Sequence, residues 1–347
     1  MNIQLNDLQT AVKKKIITKA QMESILSLRA DREKVTPSFD IIHLLYYFGA
    51  LVVIGAMGMF MTIGWEDFGG VGIMAIALVY AGIFALAGYI FWYRKKAKVA
   101  GGLLYTMAVC MTPLIVYGFE RALGVWPMDN PGSYSGFHVW INGSWLMMEL
   151  ATIGVGLITI GFIRFPFITM PIAFALWYLS MDLVPLLFGK NEFDWDERKG
   201  VSVIVGLIMI IISYILDRRT KEDFSFWGYL FGMIAFWGGL SMMDSGSELN
   251  KFLYCLLNVF LMFLSIWLGR RVFMVFGGIG VFGYLGYLSY HVFSDSLIFP
   301  FALSFLGLLL IACAVVYQKN ERKIIVFVDG IIPDKIKRYR PQSRVVR

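Results

Sequence analysis

From residue 41 to residue 318 the chain is a succession of apolar runs about 20 residues long, parted by short charged or glycine- and proline-containing breaks. A helix rising 1.5 Å per residue needs about 20 residues to cross roughly 30 Å of hydrocarbon. In lipid every backbone N–H and C=O must be bonded internally, so only helices and closed barrels cross. Barrel strands alternate in polarity over about 10 residues, and these runs do not alternate. The sequence therefore predicts an all-α polytopic membrane protein. Ten spans are expected, at 41–65, 71–93, 99–119, 145–163, 165–188, 200–217, 227–244, 251–269, 272–293 and 298–318. Only 16% of the residues are charged and the mean hydropathy is +0.69. A soluble domain carries about 25% charged residues, so a globular cytosolic enzyme is excluded.

The positions of the basic residues orient these spans. If the N-terminus lies in the cytoplasm, 26 of the 31 Lys and Arg residues fall on the cytoplasmic side. The outer side receives Arg121, Lys190, Arg198, Lys199 and Lys251. This segregation follows the positive-inside rule and predicts that both termini are cytoplasmic. The net charge of +7 is then an orientation signal, and no nucleic-acid partner is expected. Cys110, Cys255 and Cys313 all fall within spans, where they read as small buried apolar residues.

Three segments follow: a cytosolic helical hairpin over 1–38, a ten-helix membrane domain over 39–318 and a basic cytosolic tail over 319–347. In the hairpin, Leu5, Leu8 and Val12 recur at helical spacing. Thr18 and Gln21 form an S/T-x-x-Q capping box ahead of Met22, Ile25 and Leu26. A hairpin of this size cannot bury enough surface to stand alone, so it should dock on the inner loops, a membrane-complex partner or a second copy of the chain. The tail's lysines and arginines suit anionic lipid headgroups or an acidic partner.

The hairpin "LQTAVKKKIITKAQMESILSLRADREK", the first span "FGALVVIGAMGMF" and the tail "IIPDKIKRYRPQSRVVR" resemble bacterial predicted membrane proteins of unknown function, the DUF two-one-five-seven class. The resemblance implies a multi-pass protein of the bacterial inner membrane. It transfers no catalytic residue to any position of this chain.

Ionisable groups inside spans are costly and therefore informative. Glu149 on span four and Asp182 on span five lie 15 and 18 residues from Arg164, the turn that joins the two spans. Both are placed in the outer third of the membrane on antiparallel neighbours, facing a common site. Asn258 and His291 fall at comparable height, with Asp244 and Asp295 at the outer edges and His138 in the long outer loop at 120–144. Glu149, Asp182, His291 and Asn258 are thus the candidate substrate- or proton-binding residues, with Arg121 and Lys251 as basic groups within reach. His43 reads as interfacial. No H-E-x-x-H, P-loop or G-x-S-x-G pattern occurs, so neither a resident metal nor a cofactor is expected.

Glycine is abundant, with 35 residues, and the expected role is close helix packing. Pro113, Pro171, Pro185 and Pro300 permit breaks within spans. Three functions fit these features. The first is a transporter or flippase for a small solute or lipid-linked molecule. The second is a non-catalytic membrane subunit that docks through its hairpin and tail, and the third an outer-face enzyme modifying a lipid or glycan with Glu149, Asp182 and His291.

Overall fold

The computed structural model describes residues 68–126, 144–188, 195–220, 222–243 and 245–292 continuously, with isolated residues between 8 and 59 and between 300 and 308. Nine α-helices of eleven residues or more lie in the continuous stretches, with no strand among the described residues. They are α1 (Gly69–Tyr89), α2 (Lys98–Cys110), α3 (Thr112–Ala122), α4 (Ser144–Phe162), α5 (Thr169–Phe188), α6 (Trp195–Arg219), α7 (Phe226–Ser241), α8 (Glu248–Leu268) and α9 (Arg271–Tyr287). One π-helical turn extends α1 over Ile90–Arg94 and another extends α9 over Leu288–Val292.

Six stretches are long and apolar enough to cross a membrane among the described residues: Gly69–Arg94, Lys98–Ala122, Trp145–Phe162, Asp196–Arg219, Glu248–Leu268 and Arg271–His291. They correspond to expected spans two, three, four, six, eight and nine. Span five appears as α5 behind a 3-10 turn at Pro166–Ile168, and span seven as the sixteen-residue α7. Most of spans one and ten, the hairpin beyond a few residues, the tail and the long loop lie outside the described residues. Span three consists of two successive helices, α2 and α3. It breaks at Met111, and Pro113 begins α3 where its missing N–H costs no helical bond. Pro171 likewise sits in the first turn of α5 rather than at a mid-helix kink.

Short turns make successive helices antiparallel. Arg94 to Lys98, Arg164, Arg218, Arg219, Arg270 and Arg271 thereby gather at one end of the bundle, called here the basic end. The α8–α9 turn shows how tight these are. Gly269 takes φ 65°, which a glycine adopts without strain, and its N–H closes on the Ser265 carbonyl. α6 opens with Asp196 and Glu197 and closes with Arg218 and Arg219, matching both poles of its dipole.

Lipid tails are as apolar as leucine, so helices in a membrane associate through close packing and hydrogen bonds rather than through expulsion of water. The glycines serve this purpose. A Cβ on Gly206 of α6 would stand 2.3 Å from the Phe236 nitrogen of α7, and one on Gly118 of α3 would stand 2.6 Å from the Gly70 carbonyl oxygen. Tyr229, Met233 and Phe273 fill the centre of the α6–α9 group, while Ile73, Tyr117, Trp126 and Met148 knit α1, α3 and α4 together. Ala50, one of the few described residues of the first expected span, packs with Phe84, Met107 and Met111. Three buried hydroxyls are satisfied within their own helices: Thr106 donates to Gly102 O, Thr152 to Met148 O and Ser213 to Met209 O. Near the N-terminus, Thr18 N donates to Gln21 Oε1 at 2.9 Å and Gln21 N to Thr18 Oγ1 at 3.2 Å, the reciprocal capping box read from the sequence.

Candidate functional site

At the end opposite the basic one, α7, α8 and α9 diverge around a cavity of about 580 Å³. Its walls combine the apolar Leu240, Met243, Leu253 and Leu257 with the polar or aromatic Ser241, Asn250, Lys251, Tyr254, Tyr284 and Tyr287. α8 is positioned there by its own start, since Ser247 Oγ accepts the Asn250 N–H at 3.3 Å as an N-cap. One turn on, Lys251 Nζ donates to Glu248 Oε1 at 2.8 Å and to Tyr287 Oη at 2.6 Å, while Tyr287 Oη donates to Glu248 Oε1 at 2.7 Å. The lysine also lies 4.0 Å from the centre of the Tyr287 ring, so hydrogen bonding and cation–π attraction hold the rim together. The π turn of α9 stacks His291 on Tyr287, with ring centres 4.9 Å apart.

Below the cavity a second network seals its floor. Asn258, fully buried, accepts from Trp237 Nε1 at 2.8 Å and donates through Nδ2 to Tyr254 O at 2.8 Å. Tyr254 Oη shares a 2.6 Å hydrogen bond with Ser241 Oγ. A Cβ on Gly280 of α9 would fall 2.1 Å from Asn258 Oδ1, so glycine there is what admits the amide.

Of the four residues singled out by sequence, Asn258 and His291 do not line the cavity themselves; Asn258 bonds the backbone of Tyr254 and His291 stacks on Tyr287, two residues that do. Glu149 stands elsewhere. It is 5% exposed on the inward face of α4, in line with Met148, Thr152 and Gly156. α4 packs on α2, α3 and α5, whereas α9 packs on α7 and α8. Glu149 and His291 therefore belong to different helix groups. Asp182 lies on α5, the antiparallel neighbour of α4, but its side chain is outside the described residues, as are Asp244, Asp295, His138 and His43. Register along this pair comes from Trp145 stacked on Tyr178 and from Gly156 against Ile172. At 1.5 Å per residue it sets Asp182 on the order of 5–12 Å farther from the basic end than Glu149. The basic residues expected near the carboxylates are engaged otherwise. Lys251 holds Glu248 and Tyr287, and Arg121 donates to Tyr117 Oη at 3.1 Å.

The family model described as predicted membrane protein (DUF2157) matches residues 10–118. Over those residues, about a third of its length, the chain is similar to the DUF2157 family. The DUF2157 segment runs from the capping-box region to Gly118, the glycine that seats α3 on α1, and both the cavity and Glu149 lie beyond it. Its match and the apolar helices together make this a multi-pass membrane protein. No curated protein and no solved structure matches the chain.

Sequence reasoning missed the most elaborate polar cluster. Arg270 in the α8–α9 turn donates from Nε to Asp217 Oδ2 at 3.0 Å, from Nη2 to Asp217 Oδ1 and Ser225 Oγ, and from Nη1 to Asp223 Oδ2 at 2.8 Å. Its guanidinium also lies 5.1 Å from the Tyr229 ring centre. Burial alone would push the Arg270 pKa down, but hydrogen bonds and charge from Asp217 and Asp223 outweigh it and raise the pKa above the ordinary value. The signal was present as a helical stripe on α6, Arg198, Ser202, Gly206, Met209, Ser213 and Asp217, every member buried.

Proposed function

We propose that this protein is a ten-span transporter or flippase of the bacterial inner membrane, with its basic end and both termini in the cytoplasm, and that the cavity between α7, α8 and α9 receives a small polar solute or the headgroup of a lipid-linked molecule from the outer side. The cavity carries this reading. Its volume suits a small ligand, and Asn250, Lys251, Tyr254 and Tyr287 offer amide, ammonium and phenol groups on aromatic walls, the chemistry that recognises a polar or polyhydroxylated group. Asn258 and His291 orient this set from behind, through Tyr254 and Tyr287. Glu149 and Asp182 are assigned the separate task of binding a proton or cation on the α4–α5 pair. The 26 to 5 division of basic residues supports the orientation.

The direct test is reconstitution of the full chain into sealed liposomes containing an NBD-labelled phospholipid, with dithionite reduction reporting lipid movement and radiolabelled solute uptake run in parallel. Flux above protein-free liposomes that falls at least about tenfold in Tyr254→Phe and Lys251→Gln supports the reading. Equal flux with and without protein in both formats contradicts it. A non-catalytic membrane subunit is the second reading. It is favoured by the fully buried Asn258 amide, whose oxygen accepts from Trp237 and whose nitrogen donates to Tyr254, which is how a packing residue behaves. Copurification of a stoichiometric partner in mild detergent, with no flux, would put it ahead.

A further inference from the structure

At the basic end, α4 and α6 both pack on α5 and leave a cleft of about 780 Å³ between them. Arg164 and Arg219 stand at its mouth, and its deep wall reaches Ile153 on α4 and Met209 on α6. Ile153 is 11 residues from Arg164 and Met209 is 10 from Arg219, so the cleft runs on the order of 15 Å along the helices. That is about half of a 30 Å hydrocarbon core, the depth of one leaflet. Leu157 and Ile212 on its walls are 58% and 50% exposed, so it opens sideways to the bilayer.

The mouth is charged in a way the walls do not need. Arg164 and Arg219 are both exposed, and among the described residues neither forms an ion pair. Glu222 also lines the cleft, while neighbouring Asp223 is taken up by Arg270. Two guanidiniums and one carboxylate leave the mouth with one positive charge to be met. A charged mouth, an apolar slot one leaflet deep and a lateral opening together describe an amphiphile.

We propose that this cleft is a binding site for one anionic glycerophospholipid, its phosphate held between Arg164 and Arg219 and one acyl chain lying along Ile153, Leu157, Ile172 and Ile212. Guanidinium forks suit phosphate oxygens, and basic pockets between membrane helices recognise such headgroups. The site is separate from the cavity at the opposite end, and its occupancy does not depend on transport.

Gly161 provides a clean probe, because it lines the cleft and a Cβ placed there meets nothing within 4 Å. The full-length protein, delipidated in mild detergent, would be titrated with dioleoyl phosphatidylglycerol or dioleoyl phosphatidylcholine and followed by native mass spectrometry. The expected result is one tightly bound phosphatidylglycerol, weakened at least about tenfold in Arg164→Gln/Arg219→Gln and in Gly161→Phe, with phosphatidylcholine binding at least tenfold weaker than phosphatidylglycerol in the parent. The arginine variants alter only exposed groups, so their folding is not at issue, and a melting curve checks Gly161→Phe. Phosphatidylglycerol held equally by the parent and by both variants would overturn the proposal and assign the lipid to the basic tail. Equal affinity for the two lipids would overturn the headgroup assignment.

Discussion

Arg270, in the two-residue turn between α8 and α9, grips Asp217, in the last turns of α6, through two parallel hydrogen bonds from one guanidinium edge. Both side chains are at most 3% exposed, so a charge pair taken out of solvent fastens the α8–α9 hairpin to α6. Breaking a buried pair from one side leaves the other charge uncompensated, which costs about 3–5 kcal/mol. Arg270→Ala should therefore lower the melting temperature in detergent by several degrees or prevent folding. Arg270→Lys, which keeps the charge but loses the fork, should fall between it and the parent. Asp217→Asn/Arg270→Gln should recover part of the loss, since the carboxylate that loses Arg270, Asp223, is 44% exposed and can be solvated. Scanning fluorimetry of the four proteins decides the matter, and a loss below about 0.5 kcal/mol in Arg270→Ala would show the pair to be solvated.

The glycines separate into two kinds that one substitution distinguishes. Gly206 faces the backbone of α7 at less than contact distance for a Cβ, whereas Gly238 on α7 has open space around it. Gly206→Ala must push α6 and α7 apart and should cost about 1–3 kcal/mol as overpacking. Gly238→Ala should be neutral or stabilising by up to about 1 kcal/mol, since alanine is the better helix former. Equal melting temperatures for these two variants would mean that α6 and α7 do not pack as described.

Expected spans two to nine each meet a helix, because a run of about 20 apolar residues has little choice in lipid. The capping box was equally legible, being a contact between residues three apart. The site was less so. Glu149 and Asp182 were drawn together because a tight turn joins their helices, and that neighbour relation holds. Asn258 and His291 were added by height alone, and height does not say which helices touch: α8 and α9 pack on each other and on α7, away from α4. The Asp217–Arg270 pair spans 53 residues and joins a helix end to a turn, so the stripe on α6 marks Asp217 as inward-facing but no local spacing names Arg270 as its partner. In the sequence Arg270 counts only among the 26 basic residues expected on the cytoplasmic side.

The cavity makes a prediction of its own through two glycines of α9. Gly283 lines it with open space around it, while Gly280 is pressed against Asn258. Gly283→Leu should fill the cavity and abolish flux in liposomes at unchanged melting temperature. Gly280→Ala should instead displace the Asn258 amide, leave the Trp237 N–H without its acceptor and cost about 1–3 kcal/mol, with a shift in tryptophan emission. Flux that survives Gly283→Leu would remove the cavity from the transport path.

Orientation can be tested without a known substrate. Lys98, exposed at the start of α2, belongs to the basic end, and Ser135 falls in the sequence between α3 and α4 that is expected on the outer side. In a cysteine-free background, with Cys110, Cys255 and Cys313 replaced by alanine, Ser135→Cys should react with a membrane-impermeant maleimide added to intact cells. Lys98→Cys should react only after the membrane is opened. The expectation rests on the surplus of lysine and arginine at the basic end, which favours its retention in the cytoplasm. Labelling in the reverse pattern would turn the molecule over. The α7–α9 cavity would then open to the cytoplasm, Arg164 and Arg219 would meet headgroups of the outer leaflet, and the proposed direction of solute entry would be lost even though every distance within the protein stayed the same.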